Sequence, residues 1–286
     1  MDQNGSTTRT KQWKDLIAMI LVSITFAVYM IPLAMILLNS LKSKRDIVKE
    51  PLSLLGKNGV SFDNFIKAFV KMDFMKALGN SVFVTGISVI LIIILSSMTA
   101  YLFTRTNWLM CRVVFALMIF SMVIPFQVVM IPEVSIYGNL LRLLNRRLTL
   151  IFMHLGFSVS MSVFMYHGFI KSSVPISIEE AAKIDGASRL QTFFRVVLPL
   201  LKPTTATLVI LYVLGLWNDF LLPSLVLGKK PLYTLPLATR GFYGTYSSDL
   251  GLILAALVMT AIPIILLYIA LQKYIVEGVV AGAVKS

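Results

Sequence analysis

Long runs almost free of charged residues recur along this chain, and they constrain its fold more than any other feature. A helix needs about 20 apolar residues to cross the hydrocarbon core of a bilayer. Backbone N–H and C=O groups find no water partner in lipid, so spanning segments of this kind are expected to be helices. The sequence therefore predicts an all-α membrane protein, with spans at residues 16–38, 78–104, 113–132, 148–170, 203–222 and 250–272.

The composition agrees with this fold class. Hydrophobic residues make up 57% of the 286 residues and charged residues 14%, whereas soluble proteins carry roughly 45–50% and about 25%. The net charge is +13, but the basic residues flank the apolar runs and form no arm or stripe, so nucleic acid is not expected as a partner. A single cysteine, Cys111, excludes a disulfide within the chain, and His154 and His167 lack companions for a metal site.

These runs predict one membrane domain, residues 16–286, after an N-terminal tail of residues 1–15 and ending in a C-terminal tail of residues 273–286. The first run is too long for the apolar core of a signal peptide. Kinks are expected at Pro32, Pro125 and Pro263, which lie inside predicted spans. Six spans place both termini on one side of the membrane, but the distribution of basic residues between the loops leaves that side undecided.

The polar segment 171–203 joins the fourth and fifth spans. Ser177 and Glu180 have the spacing of a capping box, which predicts the start of a helix, and Gly186 predicts its end. Ser188 and Gln191 repeat the capping-box spacing directly afterwards. The segment thus predicts two short helices joined at a glycine elbow, outside the bilayer, where they could pass rigid-body motion to the spans.

The same segment contains a longer pattern: Glu180-Ala181-Ala182, then Gly186 after three residues, then Leu198-Pro199, with Val196 two positions before Leu198. This pattern resembles the signature loop of ATP-binding-cassette (ABC) importer permeases, which reads Glu-Ala-Ala, three residues, Gly, nine residues and then Ile-x-Leu-Pro. Val196 stands in place of Ile. Asp185-Gly186-Ala187 is similar to the fuller form of the motif in sugar importers.

The resemblance to the six-span member of the maltose-type permease pair covers nearly the full length of the chain. It includes short motifs at both ends of most of the predicted spans. These motifs are Asn39-Ser40-Leu41-Lys42, Asp63-Asn64-Phe65, Gly79-Asn80-Ser81, Ala100-Tyr101 with Arg105, Gln127 to Pro132, Trp217-Asn218-Asp219-Phe220, Thr234-Leu235-Pro236, Gln272-Lys273-Tyr274 and residues 278–285.

The resemblance implies an ABC importer type I permease fold with a coupling-helix loop at residues 171–203. It places that loop and both termini in the cytoplasm of a bacterial cell with the chain in the inner membrane. It implies a second permease subunit, two ATPase subunits and an extracytoplasmic solute-binding protein as partners. The residues carried over to the ATPase-coupling site are Glu180, Ala181, Ala182, Asp185, Gly186 and Pro199.

ATP and Mg²⁺ are expected on the ATPase subunits, with no cofactor or metal on this chain. A P-loop needs Gly, four residues and then Gly-Lys-Ser/Thr. Gly56-Lys57 and Gly228-Lys229 are followed by Asn58 and Lys230, so neither pair fits. No clustered catalytic residues lie near the predicted membrane surface, and the chain is not expected to be an enzyme.

Two further groups of residues are candidates for contact with solute or binding protein. Gln127, Asn218 and Asp219 lie within or at the end of predicted spans, where polar groups mark pathways by default. The outer loop 231–249 carries Tyr233, Phe242, Tyr243 and Tyr246, which suit contact with the binding protein. An interfacial aromatic belt explains these four rings equally well.

The sequence leaves the solute open. A sugar or oligosaccharide is favoured by the breadth of the resemblance, while glycerol phosphate or a peptide remains an alternative because the signature loop is shared among importers. A secondary transporter is disfavoured, since five of the six runs contain no acidic residue.

Overall fold

The structure is a computed structural model that describes residues 4–56, 59–242 and 249–283. Within these ranges every regular element is helical, and one isolated backbone bridge, between Gly56 and Gly59, accompanies the helices. The predicted all-α class is confirmed. The chain divides into two compact units, Met1–Lys71 with Gly241–Met259, and Met72–Arg240 with Thr260–Ser286.

The first unit begins with a long apolar helix, α1 (Asn4–Ser40), followed by two short helices, α2 (Lys44–Lys49) and α3 (Asp63–Lys71). The stretch of α1 from Trp13 onward has the length and hydropathy of a membrane span, and none of its most apolar window is buried within the chain. Pro32 lies inside α1 without interrupting it.

A buried polar network closes the end of α1. The Lys42 ammonium donates to Asn39 Oδ1 at 3.0 Å and to the carbonyls of Glu50 and Pro51. The Asn64 amide, at the start of α3, donates to the carbonyls of Ser40 and Lys42 at 2.9 Å each. The network satisfies carbonyls that the end of a helix leaves without partners, and so explains the first two motifs of the sequence resemblance.

The second unit is built on two long apolar helices, α4 (Phe74–Arg105) and α7 (Arg147–Ser173). Between them lie α5 (Leu109–Ser121) and α6 (Phe126–Ser135), and α6 continues as a π turn, Ile136–Leu140. After α7 come α8 (Ile176–Ile184), α9 (Arg189–Thr192), a π turn (Phe193–Val197), α10 (Leu198–Leu200), α11 (Lys202–Trp217), α12 (Leu221–Val226) and α13 (Leu235–Ala238).

The core of this unit is formed mainly where α4 packs along α7. Small hydroxyl residues line the buried side of α4, and Ser158, Ser160 and Ser162 do the same on α7. Small side chains let helix backbones approach closely. In a membrane this close packing holds helices together, because lipid is as apolar as the helix surface and the hydrophobic effect does not drive them to associate. Towards the loop end, Tyr166, Ile170 and Phe193 complete the core.

The last helix, α14 (Leu250–Ala283), passes Pro263 without a break and covers the sixth predicted span. The helices thus continue through Pro32 and Pro263, the two prolines at which kinks were predicted. By length and composition, four described helices could each cross a membrane: Trp13–Ser40, Phe74–Arg105, Arg147–Ser173 and Leu250–Ala270. Two bent helix pairs raise the number to six if each pair is one span.

The third predicted span coincides with one of these bent pairs. The axes of Leu109–Ser121 and Phe126–Leu140 differ by 105°. Pro125 has extended backbone (ψ 138°) and lacks the N–H that a continuing helix needs. At the position of the predicted kink the structure thus has a break between two helices.

The fifth predicted span also ends earlier than expected. Helix α11 stops at Trp217, and the chain is irregular until α12 begins at Leu221, so the predicted continuation to Leu222 is wrong. The Asn218 side chain donates to the Leu214 carbonyl at 2.9 Å and so occupies an acceptor at the helix end. At its start, α11 follows Arg189–Leu200 with a bend of 75°.

Candidate functional site

The loop between α7 and α11 begins at a proline. Val174 has extended backbone (φ −113°, ψ 99°), as expected for a residue that precedes proline, and α7 ends there. Pro175 is the N-cap of α8 and makes no side-chain capping bond. The predicted capping box of Ser177 and Glu180 is therefore wrong, because α8 begins at Ile176 and Ser177 already lies in its first turn.

The glycine elbow is present at the end of α8. Gly186 has a positive φ of 81°, the left-handed conformation that glycine adopts without strain. Ala187 N–H donates to the Ala182 carbonyl and Gly186 N–H donates to the Lys183 carbonyl, which together form a Schellman motif. The predicted end of the helix at Asp185-Gly186 is confirmed.

The second short helix starts as the sequence predicted. The Ser188 hydroxyl accepts from Gln191 N–H at 3.3 Å, and the Gln191 side chain accepts from Ser188 N–H at 2.8 Å. This reciprocal pair is the capping box of α9. The helix then continues through the π turn to Pro199, which is exposed and lies in the short helix α10.

A clamp formed by three side chains fixes α8 to the end of α4. The Arg105 guanidinium forms an ion pair with Glu179 at 2.7 Å and donates through Nε to the same oxygen at 2.8 Å. The Tyr101 hydroxyl donates to the other oxygen of Glu179 at 2.8 Å. Arg105 also donates to the Val174 carbonyl, so the guanidinium holds both the end of α7 and the start of α8. Charge-assisted bonds of this kind are among the stronger hydrogen bonds in proteins.

The remaining predicted coupling residues face outward. Glu180, Ala181, Asp185 and Gly186 are exposed, and Ala182 is half-buried. Ile184, in the last turn of α8, is 85% exposed. The loop therefore presents a surface of small, acidic and apolar residues with no partner in the described part of the chain, while the clamp fixes its base to a long apolar helix.

The candidate pathway residue Asp219 pairs with a buried histidine. Asp219 Oδ2 lies 3.0 Å from His154 Nε2, and the other Asp219 oxygen accepts from Leu222 N–H at 3.3 Å. His154 is 3% exposed and lies in α7. The pair thus holds the irregular segment between α11 and α12 against α7.

The other two candidate pathway residues are exposed. Asn218 neighbours Asp219 at the end of α11, and Gln127 lies in the first turn of α6. Phe126, next to Gln127, packs edge-on against Phe157 of α7, with ring centroids 4.8 Å apart.

The loop proposed to contact the binding protein is held to α4 by a buried amide. Asn80 donates to the carbonyls of Pro231 and Tyr233 at 3.0 and 2.9 Å and accepts from Arg147 at 3.1 Å. Tyr233 is half-buried, and Phe242, which belongs to the first unit, is 5% exposed. Tyr243 and Tyr246 lie outside the described residues. The contact itself stays a prediction.

The residues that sequence reasoning missed are Glu179 and the histidine partner of Asp219. Glu179 precedes the motif residue Glu180, and its partner Arg105 is 74 positions away. The sequence contains one indication of this ion pair: Arg105 closes the second apolar run, and two adjacent acids, Glu179 and Glu180, lie in the loop. The sequence excludes a metal site at His154 but gives no indication of its pairing with Asp219.

An all-helical membrane chain with a clamped helix–elbow–helix loop outside its long apolar helices has the architecture of a permease subunit of an ABC importer. Its sequence matches the family model of the "binding-protein-dependent transport system inner membrane component" over residues 92–280. The chain belongs to this family, and its relatives are transport permeases.

Two curated relatives cover almost all of the chain. It is 39% identical over 255 residues to the probable starch degradation products transport system permease protein AmyC of Thermoanaerobacterium thermosulfurigenes, covering 89% of this chain and 91% of AmyC. It is 36% identical over 278 residues to the melibiose/raffinose/stachyose import permease protein MelC of Bacillus subtilis, covering 97% of this chain and 99% of MelC.

A solved structure shares the fold. The match is a chain in the crystal structure of a bacterial ABC transporter involved in the import of the acidic polysaccharide alginate. The TM-score is 0.68 at 19% sequence identity, and the match covers 92% of this chain and 97% of that chain. The predicted permease fold is confirmed by this likeness.

Proposed function

We propose that this chain is one of two permease subunits of an ATP-driven importer that carries a sugar or oligosaccharide into a bacterial cell. The relatives named above are permeases for starch degradation products and for melibiose, raffinose and stachyose. Their similarity extends over most of the chain, including the coupling loop and both broken helix pairs. A carbohydrate is therefore the solute class that this similarity supports.

The geometry of the coupling loop is the observation that carries the proposal. Its outward surface, from Glu180 to Gly186, has no partner among the described residues, whereas Glu179 on the same helix is fixed to α4. A load applied to the outward surface is thus transmitted to a long apolar helix without deforming backbone within the membrane. Such a surface suits the groove of a separate, moving subunit.

That subunit is an ATPase in this proposal. Two copies bind ATP and Mg²⁺, and their closure rotates the coupling helices of the two permeases. The loop and both termini lie in the cytoplasm of the cell, and a solute-binding protein delivers the sugar from outside. The chain contributes half of the alternating-access pathway and performs no hydrolysis.

Reconstitution tests the proposal directly. The chain is co-purified with a second permease and an ATPase subunit, placed in proteoliposomes and supplied with the binding protein. We expect uptake of a labelled neutral oligosaccharide such as raffinose or maltotriose that requires both internal ATP and the binding protein. Uptake driven by an ion gradient without the ATPase subunits would support a secondary transporter instead.

A further inference from the structure

Two interruptions in the helices of the second unit meet on one face of α7. At the break between α5 and α6, Phe126 follows Pro125 and packs against Phe157. In the irregular segment between α11 and α12, Asp219 bonds His154. His154 and Phe157 are three residues apart on α7 and so lie on the same side of that helix. We call the surface formed by Phe126, Gln127, His154, Phe157, Asn218 and Asp219 the break face.

The break face is not suited to lipid. Where a helix is interrupted, backbone groups lose their partners within the helix, and hydrocarbon offers none in exchange. Interrupted helices within membranes are tolerated where they line a water-filled cavity or are covered by protein, and in transporters they mark the solute pathway. Phe157 is 40% exposed, and Gln127 and Asn218 are exposed as well. The two amides of this face are thus open to water or to a solute, while Asp219 is half-buried beside His154.

The chemistry of the break face distinguishes between solute classes. It offers two phenyl rings, two amides, a carboxylate and the buried imidazole that the carboxylate bonds. No lysine or arginine occurs in residues 113–141, 148–170 or 203–228. Aromatic rings can cover the apolar faces of a sugar ring, while a few amide and carboxylate groups fix its hydroxyls. An anionic solute would lose its hydration beside the carboxylate of Asp219, and no lysine or arginine of these ranges would compensate the charge of the solute.

Building on the proposed function, we infer that the break face contacts the passing solute and selects for an uncharged, hydroxylated one, namely a neutral oligosaccharide. The fold does not decide the charge of the solute, since an importer of the acidic polysaccharide alginate shares it. The selection lies in the side chains, and the absence of basic residues from the break face excludes anionic solutes such as glycerol phosphate.

Thiol labelling of the complete importer in membrane vesicles tests this inference. In a Cys111→Ala background, Phe157→Cys is compared with Phe152→Cys, a control on the same helix. Phe152 is 58% exposed, points to another side of α7 and lies nearer to the helix end, so depth alone would favour its reaction. We expect a water-soluble methanethiosulfonate to react about tenfold faster at position 157, because the reactive thiolate forms poorly in hydrocarbon.

Reagent charge and solute protection complete the test. The rate of each reagent at position 157 is divided by the rate of the same reagent with a free thiol in solution. This ratio should be higher for the cationic aminoethyl reagent than for the anionic sulfonatoethyl reagent. Raffinose or maltotriose should slow the reaction several-fold, and glycerol 3-phosphate or trigalacturonate should not. Met161→Cys, one turn along the same side and 42% exposed, repeats the measurement if Phe157→Cys does not assemble.

Three results would overturn the inference. The first is equal labelling at positions 157 and 152, and the second is faster labelling by the anionic reagent. The third is protection by an anionic solute, or no protection by any of the four solutes. Stimulation of ATP hydrolysis by the binding protein is measured on the same vesicles. Absence of that stimulation in the unmodified importer would contradict the proposed function, whereas an altered labelling pattern with stimulation intact contradicts only the role of the break face.

Discussion

The Arg105 guanidinium and the Glu179 carboxylate lie 2.7 Å apart and join the end of α4 to the first helix of the coupling loop. Both side chains are less than one-fifth exposed. The pair is separated by more than 70 residues in sequence, yet it determines where the loop is attached. It therefore supplies a mechanical link between the outward surface of α8 and the membrane helices.

Breaking this pair should uncouple transport from ATP hydrolysis. Glu179→Ala or Arg105→Ala removes charged hydrogen bonds worth about 1.5–3 kcal/mol and leaves α8 free to shift against α4. We expect less solute transported per ATP hydrolysed in proteoliposomes, with binding of the ATPase retained. The exchange Arg105→Glu with Glu179→Arg should restore part of the coupling, and only part, because Arg105 also donates to Val174. Identical losses in the single and exchanged variants would argue against the pair.

Replacement of Glu180, the acid next to Glu179, should affect binding of the ATPase and not the attachment of α8 to α4. Glu180 is exposed and lies on the outward surface of α8, so Glu180→Lys should weaken retention of the ATPase subunit in a pull-down from detergent. Glu179→Gln is the matched control, since it removes a charge one residue away on the clamped side. Undiminished binding by Glu180→Lys would show that Glu180 has no role in docking.

The glycine elbow should depend on the backbone conformation of Gly186 and not on the space around it. A Cβ at position 186 would meet nothing within 4 Å, but φ is +81°. An L-residue there costs about 1–2 kcal/mol, and a β-branched one more. Gly186→Val should therefore lower uptake per ATP hydrolysed, while Gly186→Asn, which enters the left-handed region more readily, should stay close to the unmodified importer. Equal uptake by the two variants would contradict a conformational role.

The pair of Asp219 and His154 should contribute both to stability and to transport. Asp219→Ala leaves a buried imidazole without its partner, at a cost of about 1–3 kcal/mol, and should lower the unfolding temperature of the purified protein in detergent. The double variant His154→Leu with Asp219→Leu should recover much of that loss, because both polar partners are then removed. A double variant less stable than Asp219→Ala would contradict this account.

Asp219→Asn separates the two contributions. The amide can still hydrogen-bond His154, so the unfolding temperature should change little, whereas the charge on the pathway is lost and uptake should fall. Ser224→Ala is the control for local packing, since the Ser224 side chain bonds within α12 and lies outside the break face. Unchanged uptake kinetics for Asp219→Asn would limit Asp219 to a structural role.

Much of the fold was predictable because hydropathy acts locally. The runs at residues 78–104 and 148–170 lie within α4 and α7, whose ends differ from the prediction by a few residues. The glycine elbow and the Ser188–Gln191 capping box were also predictable, since each depends on residues within one or two helical turns.

The remaining features depend on tertiary contacts or on subtler local competition. Pro125 interrupts its apolar run, whereas Pro32 and Pro263 do not interrupt theirs, and hydropathy alone does not separate the three cases. The break after Trp217 involves Asp219, whose partner His154 lies 65 residues away. The Ser177 capping box was wrong because Pro175 starts the helix earlier than the serine could.

The clamp makes two adjacent glutamates face different ways: Glu179 faces the membrane helices, and Glu180 is exposed on the outward surface of α8. An α-helix turns about 100° per residue. A single residue deleted between Pro175 and Glu179 would therefore turn Glu180 towards Arg105, and a single inserted residue would turn Glu179 away from Arg105. Either change would rotate the outward surface of α8 by a quarter-turn or more. In this short stretch, residue spacing is constrained more tightly than residue identity, so indels there should be tolerated less well than substitutions.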